Sequence, residues 1–319
     1  MTFQGLRPRN GLPAAAVERV RELIAPCGRV VRVRPMRGGI SSSVHLVHLQ
    51  AADGARAAVV VRRYGEYWLR TDPAACEREF KLLQVLSRLD FPAPRPLFLD
   101  RAGGPFGGPT VLMSRLPGKP LLAPLDVADY IAQTAQMLAR LHRLTIDELG
   151  FLHDQRVHIE RDLAESDESE RDDLLRTVCA AAAAEWPGVA QASSLRVLVH
   201  GDYWPGNLLW NRGRLVGVVD WEQSRLGDPA SDVATCRGDL SILFGLEAGN
   251  EFLRDYLQAA NVRIERRRFW DLLISSWAVR EIENWARVYP LLGRPDLTPA
   301  LARDRIRAFA EAALDAAHD

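Results

Sequence analysis

The stretch VLVHGDYWPGNLLWNRGRLVGVVDWE, residues 197–222, sets polar side chains between runs of strand-forming residues. A buried strand is predicted to lead into the H-G-D triplet that closes on Asp202, and Asn207 follows five residues later. A polar turn then leads into another apolar strand, which ends at Asp220. Two adjacent strands joined by a short turn would hold Asp202 and Asn207 at one rim, with Asp220 reaching the same region.

The chemistry of these three side chains favours a hard metal ion. Asn and Asp offer oxygen ligands, which suit Mg²⁺ better than zinc or copper. Mg²⁺ takes only one or two carboxylates from a protein and lets substrate phosphates complete its shell, and Asn207 and Asp220 fit that number. Asp202 is then left to accept a proton. Each residue alone is as typical of a turn or a helix cap, so the prediction depends on their joint spacing.

The composition is that of an ordinary globular protein. Of 319 residues, 47% are hydrophobic and 26% charged, and 41 Lys and Arg balance 41 Asp and Glu. A net charge of zero favours neither a nucleic-acid partner nor a membrane partner. The scattered cysteines form no C-x-x-C pair, and we expect neither a signal peptide nor a membrane span. The sequence therefore predicts a cytoplasmic monomer or homodimer with reduced thiols.

The hydrophobic patterning divides the chain into two lobes. Strands are predicted at residues 28–36, 45–50, 55–64 and 108–118, a helix at 73–89 and a proline-rich connector at 91–100. After Gly118 the pattern is mostly helical, including 126–144 and nearly everything beyond Asp232. The predicted fold class is α+β, with a small antiparallel β lobe and one long helix at residues 1–115 and a larger, mainly α lobe at 116–319.

The spacing of Asp202, Asn207 and Asp220 resembles the kinase superfamily. Protein kinases separate a catalytic Asp from a metal-binding Asn by five residues and place a metal-binding Asp after a strand. This chain has H-G-D in place of H-R-D and D-W-E in place of D-F-G. That variant resembles the aminoglycoside phosphotransferase and choline kinase-like family, which phosphorylates small molecules.

Two further segments carry the same resemblance. LGDPASDVA (226–234) is similar to the family's segment after the metal Asp, and MLARLHRL (137–144) to the helix before its catalytic loop. The resemblance covers most of residues 30–240 and is weak in the C-terminal helices. It implies a protein-kinase-like fold and phosphoryl transfer to a hydroxyl of a small-molecule acceptor, with Mg²⁺ as cofactor. ATP is the expected donor, with GTP as the open alternative.

The resemblance assigns roles in the decisive stretch residue by residue. Asp202 would be the catalytic base that orients the acceptor hydroxyl, and Asn207 and Asp220 would bind Mg²⁺. His200 would support the loop by hydrogen bonding. Asp228 and Asp232 are expected to be structural residues, which cap the next helix or bond to the loop.

The resemblance also places a nucleotide site in the first lobe. The superfamily needs a cation on its third strand, held by a helix carboxylate, and Arg62 with Glu79 are the candidates. Arg63 would face the opposite side of the strand, and a surface charge at a strand end is the plain alternative. Gly38, Gly39, Ser41 and Ser42 would form the phosphate-covering loop, although such a turn between strands is often only a turn. Met113, Ser114 and Leu116 would form the adenine-reading hinge, with an ordinary edge strand as the alternative.

The acceptor pocket is expected between the loop and the C-terminal helices. Trp277, Glu281 and Trp285 lie at helical spacing and could bind a cationic amine through charge and cation–π contact. The alternative is that the Trp rings pack in the core and Glu281 is solvated. Tyr203 and Trp204, inside the loop, could also line the acceptor site.

Two other functions use the same residues. A catalytically inactive nucleotide-binding module would be expected to lack Asp202, Asn207 or Asp220, and all three are present. A metal-dependent phosphohydrolase would need further carboxylates for a second protein-held metal. A protein kinase is less favoured, since no activation segment ending in A-P-E follows residue 221.

Overall fold

The computed structural model describes residues 11–24, 28–36, 42–164, 172–192 and 196–317. The chain divides into two compact units, Met1–Leu116 and Pro117–Asp319. No helix in the described ranges is both long and apolar enough to cross a membrane.

The first unit contains one five-stranded antiparallel sheet in the order β1-β2-β3-β5-β4. Its elements are α1 (Ala14–Ile24), β1 (Arg29–Pro35), β2 (Ser42–Gln50), β3 (Arg56–Tyr64), α2 (Glu66–Thr71), α3 (Ala75–Arg88), β4 (Pro96–Asp100) and β5 (Thr110–Ser114). The small antiparallel β lobe with a long helix is confirmed.

The two faces of this sheet have different partners because side chains alternate along a strand. One face carries Val47 and Val61, which pack in a hydrophobic cluster with Val20 of α1. The other face carries Arg62, which lies opposite Val111 in the β3–β5 pairing. Every second residue of β3 therefore points toward α1, and Arg62 points away from it.

Strand β4 lies where the sequence predicted only a connector. Residues 96–100 pair with β5 at the edge of the sheet. Pro96 is the first residue of the strand, a position where its missing N–H is tolerated. The strand was not predicted because it has only five residues and follows a proline-rich segment.

The second unit is mainly helical, as predicted. Its helices are α4 (Val127–His142), α5 (Gln155–Ala164), α6 (Asp173–Ala192), α7 (Ala230–Phe244), α8 (Leu246–Ala260), α9 (Arg267–Trp285) and α10 (Pro299–Asp315). Its strands are β6 (Lys119–Pro120), β7 (Val197–Val199), β8 (Leu208–Asn211), β9 (Arg214–Val218) and β10 (Arg225–Gly227). Helix α7 has almost no exposed face, because α8, α9 and α10 all pack against it.

The decisive stretch contributes strands to two different sheets. β7 pairs with β10, whereas β8 and β9 form a hairpin that β6 extends. The expectation of two adjacent strands holds for β8 and β9 only. A 3₁₀ turn, Pro205–Asn207, separates β7 from this hairpin and turns the chain from one sheet to the other.

Candidate active site

The HGD loop, residues 200–207, is closed by the side chain of Asn207. Its Nδ2 donates to the backbone carbonyl of Asp202 at 2.9 Å and to the Asp202 carboxylate oxygen Oδ2 at 2.9 Å. Asn207 is buried, and it ends the 3₁₀ turn that Pro205 begins. The amide nitrogen is thereby committed to the loop, so the carbonyl oxygen Oδ1 is the group that Asn207 can offer to a metal ion.

His200 links this loop to the end of β9. Its Nε2 donates to the carbonyl of Val219 at 3.0 Å, and its Nδ1 accepts from the backbone N–H of Asp202 at 3.2 Å. These two bonds need one protonated and one bare ring nitrogen, which is the neutral imidazole. Burial lowers the pKa of His200, although the charges of Asp232 and Asp220 oppose the shift. The expected supporting role of His200 is what this geometry provides.

Asp232, at the start of α7, holds the HGD loop from the other side. Its carboxylate accepts from the backbone N–H of His200 at 2.6 Å, from that of Gly201 at 2.9 Å and from Nε2 of His142 at 3.2 Å. Burial alone would raise the pKa of Asp232, but the hydrogen bond and charge of His142 and the contribution of His200 outweigh it, and the pKa lies below its ordinary value. An ionised carboxylate inside the protein therefore anchors the loop.

Gly201 shows how tightly this anchor is packed. Its φ is +80°, and a Cβ there would lie 2.3 Å from the carbonyl oxygen of Gln223. Only glycine fits this position. Asp228 has the other structural role expected of it, because its Oδ1 accepts from the N–H of Ala230 at the start of α7.

Asp220 lies next to Asn207 through the backbone. The N–H of Val219 donates to the carbonyl of Asn207 at 3.0 Å, and the following residue, Asp220, has a left-handed backbone with φ of 72° and ψ of 58°. That conformation costs a non-glycine residue about 1–2 kcal/mol. The next residue, Trp221, stabilises this backbone conformation, because its buried ring donates from Nε1 to the carbonyl of Val218 at 3.0 Å. Backbone strain of this kind is typical of functional sites.

Asn207 and Asp220 suit Mg²⁺ by donor chemistry, because both offer oxygen atoms and leave most of the shell to phosphate and water. A second metal would need more ligands. Within the ranges that the structure describes, no group of three or more His, Cys, Asp or Glu is arranged to hold a metal ion.

In the first unit, Arg62 and Glu79 form a buried ion pair. Nη1 of Arg62 donates to Oε1 of Glu79 at 3.0 Å, and the Tyr64 hydroxyl donates to the other carboxylate oxygen. Arg63 lies on the opposite face of β3, where it donates to the Ser43 hydroxyl and to the carbonyl of Phe106. The alternation of the strand thus separates the two arginines.

The structure describes only some of the other residues that are predicted to bind the nucleotide. Gly38, Gly39 and Ser41 lie outside the described residues, and Ser42 is buried as the first residue of β2. Met113 and Ser114 belong to β5, and the Ser114 N–H donates to the carbonyl of Arg95 at 2.8 Å. Within the predicted hinge, the backbone N–H of Ser114 is therefore already hydrogen-bonded within the first unit. Leu116 is half-buried and is the last residue of that unit.

The predicted acceptor residues gather only in part, since Trp204 and Trp285 pack against one hydrophobic cluster and Trp277 packs against another. Tyr203 has no exposed surface, and its hydroxyl donates to the carbonyl of Thr134 at 3.1 Å. Burial raises the pKa of that hydroxyl well above its ordinary value. This geometry makes Tyr203 a packing residue and removes it from the acceptor site.

Trp204 is half-buried, and its ring lies across Gly206, where a Cβ would come within 2.0 Å of the ring. In α9, Trp277 and Trp285 pack against two different hydrophobic clusters. Glu281 is buried rather than solvated and accepts from Nδ2 of Asn284 at 2.8 Å. All three Trp rings keep some exposed surface, whereas Glu281 is buried.

Asp239 is a carboxylate near Asp202 that the sequence did not single out. It lies on α7, and burial together with the charge of Asp202 raises its pKa well above the ordinary value. A spacing of seven residues from Asp232, two turns of the same helix, is the signal that could have found it.

Comparison with known proteins points to one family. The sequence model of the phosphotransferase enzyme family APH matches residues 32–270. The mouse acyl-CoA dehydrogenase family member 10 is 30% identical over 190 residues, a match that covers 55% of this chain and 18% of that protein. The chain thus spans about a fifth of the length of this relative.

Solved structures share the fold across nearly the whole chain. Choline kinase LicA from Streptococcus pneumoniae superposes with a TM-score of 0.60 at 16% identity, covering 94% of this chain and 99% of that one. The streptomycin–ATP–APH(2″)-IIa ternary complex gives a TM-score of 0.58 at 19% identity, with coverage of 92% and 99%. At these identities the likeness shows the protein-kinase-like fold.

Proposed function

The chain belongs to the APH phosphotransferase enzyme family, and from this premise we propose that it transfers the γ-phosphoryl group of ATP to a hydroxyl of a small molecule. The proposal is carried by one observation, the hydrogen bond from Asn207 Nδ2 to the carboxylate of Asp202. It supports a fixed carboxylate beside two oxygen ligands, which is what this reaction needs from a protein.

Asp202 acts as the base in this proposal. Its Oδ2 is oriented by Asn207, and the other carboxylate oxygen accepts the proton of the acceptor hydroxyl as the oxygen attacks phosphorus. The loop that carries it is held by His200 and Asp232, so the carboxylate does not have to be reorganised during the reaction. Positioning of this kind is the main contribution that a protein makes to phosphoryl transfer.

Asn207 and Asp220 would hold Mg²⁺. When bound, the ion offsets the negative charge of the β- and γ-phosphates. The Val219–Asn207 hydrogen bond holds the two ligands close to each other, Asn207 just before β8 and Asp220 just after β9. Asn207 also contacts Asp202, so metal site and base share one residue.

The Arg62–Glu79 pair would bind the α- and β-phosphates. Glu79 is fixed by both Arg62 and Tyr64, and it holds one end of a guanidinium group, the side chain best suited to bidentate contact with phosphate. Gly38, Gly39, Ser41 and Ser42 remain the proposed phosphate-covering loop. Met113, Ser114 and Leu116 remain the proposed hinge, with adenine contacts assigned to the backbone after Ser114. ATP is the proposed donor because a structural neighbour is a complex with ATP.

The acceptor is proposed to be a small polar alcohol. Among proteins of this fold, one is a choline kinase and another is a complex with streptomycin. Trp204, next to the base, and Glu281 of α9 would line the acceptor site. A phosphohydrolase is less favoured, since the described residues do not supply ligands for a second metal.

The test is an ADP-release screen with ATP and Mg²⁺ over aminoglycosides, choline-like amines, amino-alcohols, sugars and macrolides. We expect turnover with at least one class, and we expect Asp202→Ala to lower it by about 10²–10⁴-fold while ATP binding persists. The matched control is Asp304→Ala on the exposed surface of α10. Wild-type turnover by Asp202→Ala would exclude Asp202 as the base, and ATP binding without transfer to any acceptor would favour the inactive module.

A further inference from the structure

A tyrosine of α8 is connected to the HGD loop through two other side chains. The hydroxyl of Tyr256 lies 2.8 Å from Nδ1 of His142, and Nε2 of the same imidazole lies 3.2 Å from the carboxylate of Asp232. That carboxylate accepts from the backbone N–H groups of His200 and Gly201. A continuous line of hydrogen bonds therefore joins α8, through α4 and α7, to the loop that carries the proposed base.

The three side chains of this line are buried and held in place. Tyr256 is 1% exposed, Asp232 has no exposed surface and His142 is 8% exposed. The ring of Tyr256 lies edge-on to the imidazole of His142, with the centroids 5.7 Å apart, and the neighbouring Arg143 donates to the carbonyl of Ala259 in α8 at 2.8 Å. Buried polar groups take their partners from inside the protein, so these bonds decide where the protons lie.

The hydrogen bonds of this line fit one arrangement of protons. The Asp232 carboxylate, which is ionised, only accepts, so Nε2 of His142 carries a proton. Burial, followed by the charges of Asp232 and Asp228, raises the pKa of Tyr256, so its hydroxyl also keeps its proton. A protonated Nδ1 would leave that hydroxyl proton without an acceptor among the described residues. His142 is therefore the neutral tautomer with a bare Nδ1, which accepts from Tyr256.

We infer that Tyr256 is a positioning residue for the proposed base, because its hydroxyl holds His142 as the tautomer that donates to Asp232. This inference rests on the proposed function. The other tautomer would turn a bare Nε2 toward the carboxylate, and the two acceptors would repel each other. Asp232 would then lose its place under the backbone of the HGD loop. The direction of the Asp202 carboxylate thus depends on a hydroxyl that contacts neither the loop nor Asp232 directly.

The first experiment compares wild type with Tyr256→Phe, which removes the hydroxyl and keeps the ring. ADP release is measured with ATP, Mg²⁺ and an acceptor that the screen identifies. We expect kcat to fall about fivefold, the equivalent of one neutral hydrogen bond, with the KM for ATP unchanged. The control is Tyr289→Phe, the same change at a buried tyrosine that packs with residues of α9 and α10, and it should keep the wild-type kcat.

A second background separates control of the tautomer from packing. In His142→Gln, the side-chain amide can still donate to Asp232 from near the position of Nε2, but an amide has no tautomers. Adding Tyr256→Phe to this variant should lower kcat by less than about twofold, because the hydroxyl no longer has a tautomer to select. An equal loss of kcat in both backgrounds would make Tyr256 a packing residue and overturn the inference.

The tautomer itself is measured by NMR, which needs no acceptor. Long-range ¹H–¹⁵N correlation spectra distinguish a protonated ring nitrogen from a bare one. We expect the proton of His142 on Nε2 in wild type and a loss of this single tautomer in Tyr256→Phe. A protonated Nδ1 in wild type, the same tautomer in Tyr256→Phe, or an unchanged kcat would each overturn the inference while the proposed function stands. If wild type turned over no acceptor, the proposed function would fail and the inference with it, whatever tautomer the spectra showed.

Discussion

The side-chain amide of Asn207 bonds to Asp202 twice, once at the backbone carbonyl and once at the carboxylate, each at 2.9 Å. One residue therefore shapes the HGD loop and orients the proposed base at the same time. If Asn207 were only a metal ligand, its amide nitrogen would have no role. Because the amide nitrogen bonds to Oδ2 of Asp202, substitutions of Asn207 can test the two functions separately.

Asn207→Asp keeps an oxygen ligand for Mg²⁺ but replaces the donor with a carboxylate that repels Asp202. We expect kcat to fall about 100-fold even at saturating Mg²⁺, because a base displaced by an ångström loses that much. Asn207→Ala should lose activity further and also require more Mg²⁺. The measurement is the rate of ADP release against Mg²⁺ concentration. Full recovery of Asn207→Asp at high Mg²⁺ would show that only the metal contact matters.

Arg62 and Arg63 are neighbours in sequence on opposite faces of β3, and they form a matched pair of positions for mutation. Arg62→Lys keeps the positive charge but loses the bidentate fork, so we expect the KM for ATP to rise about tenfold. Arg63→Lys should leave the KM for ATP unchanged, since Arg63 bonds to Ser43 and Phe106 instead. The assignment would be reversed if Arg63→Lys had the larger effect on ATP.

The parts of the fold that depend on local patterning could be predicted from the sequence. Alternation in β3 assigned Arg62 and Arg63 to opposite faces, and the structure has them there. The spacing within residues 197–222 was enough to select the HGD loop and the two proposed metal ligands. These features depend on residues that are close along the chain.

What the sequence could not predict depends on contacts between distant segments. The bond between His142 and Asp232 joins residues 90 positions apart. β7 pairs with β10 rather than with β8, and helices α4 and α5 pack on these two strands. Strands of three residues carry too little pattern for this pairing to be predicted. Tyr203 lies within a polar loop, so its complete burial follows only from the position of α4.

Asp232→Asn should weaken the whole second unit. The new NH₂ group would meet an N–H donor of the HGD loop, where the carboxylate accepts from His200, Gly201 and His142. We expect a loss of about 3 kcal/mol in the free energy of unfolding, because buried charged hydrogen bonds are replaced by unsatisfied donors. Urea unfolding followed by far-UV circular dichroism measures it.

The control for that substitution is Asp126→Asn. Asp126 caps α4 by accepting from the N–H of Asp129, and Asn caps a helix as well as Asp. This variant should stay within about 0.5 kcal/mol of wild type. Equal losses in the two variants would mean that Asp232 has no special role in the loop.

His45 makes the stability of the first unit depend on pH. This β2 side chain is 2% exposed, and neither ring nitrogen has a hydrogen-bond partner among the described residues. Burial, followed by the charge of Arg63, lowers its pKa from 6.5, so the folded state takes up a proton less readily than the unfolded state. The free energy of unfolding is therefore not reduced by His45 protonation above pH 6.5, and it decreases as the pH falls below that value.

His45→Leu should raise the free energy of unfolding at pH 7 by about 1–2 kcal/mol. It should also reduce the decrease in this free energy between pH 6.5 and 5, measured by urea unfolding across that range. His153→Leu, on an exposed residue, should leave both quantities unchanged, and a destabilised His45→Leu would mean that the imidazole has a partner inside the sheet.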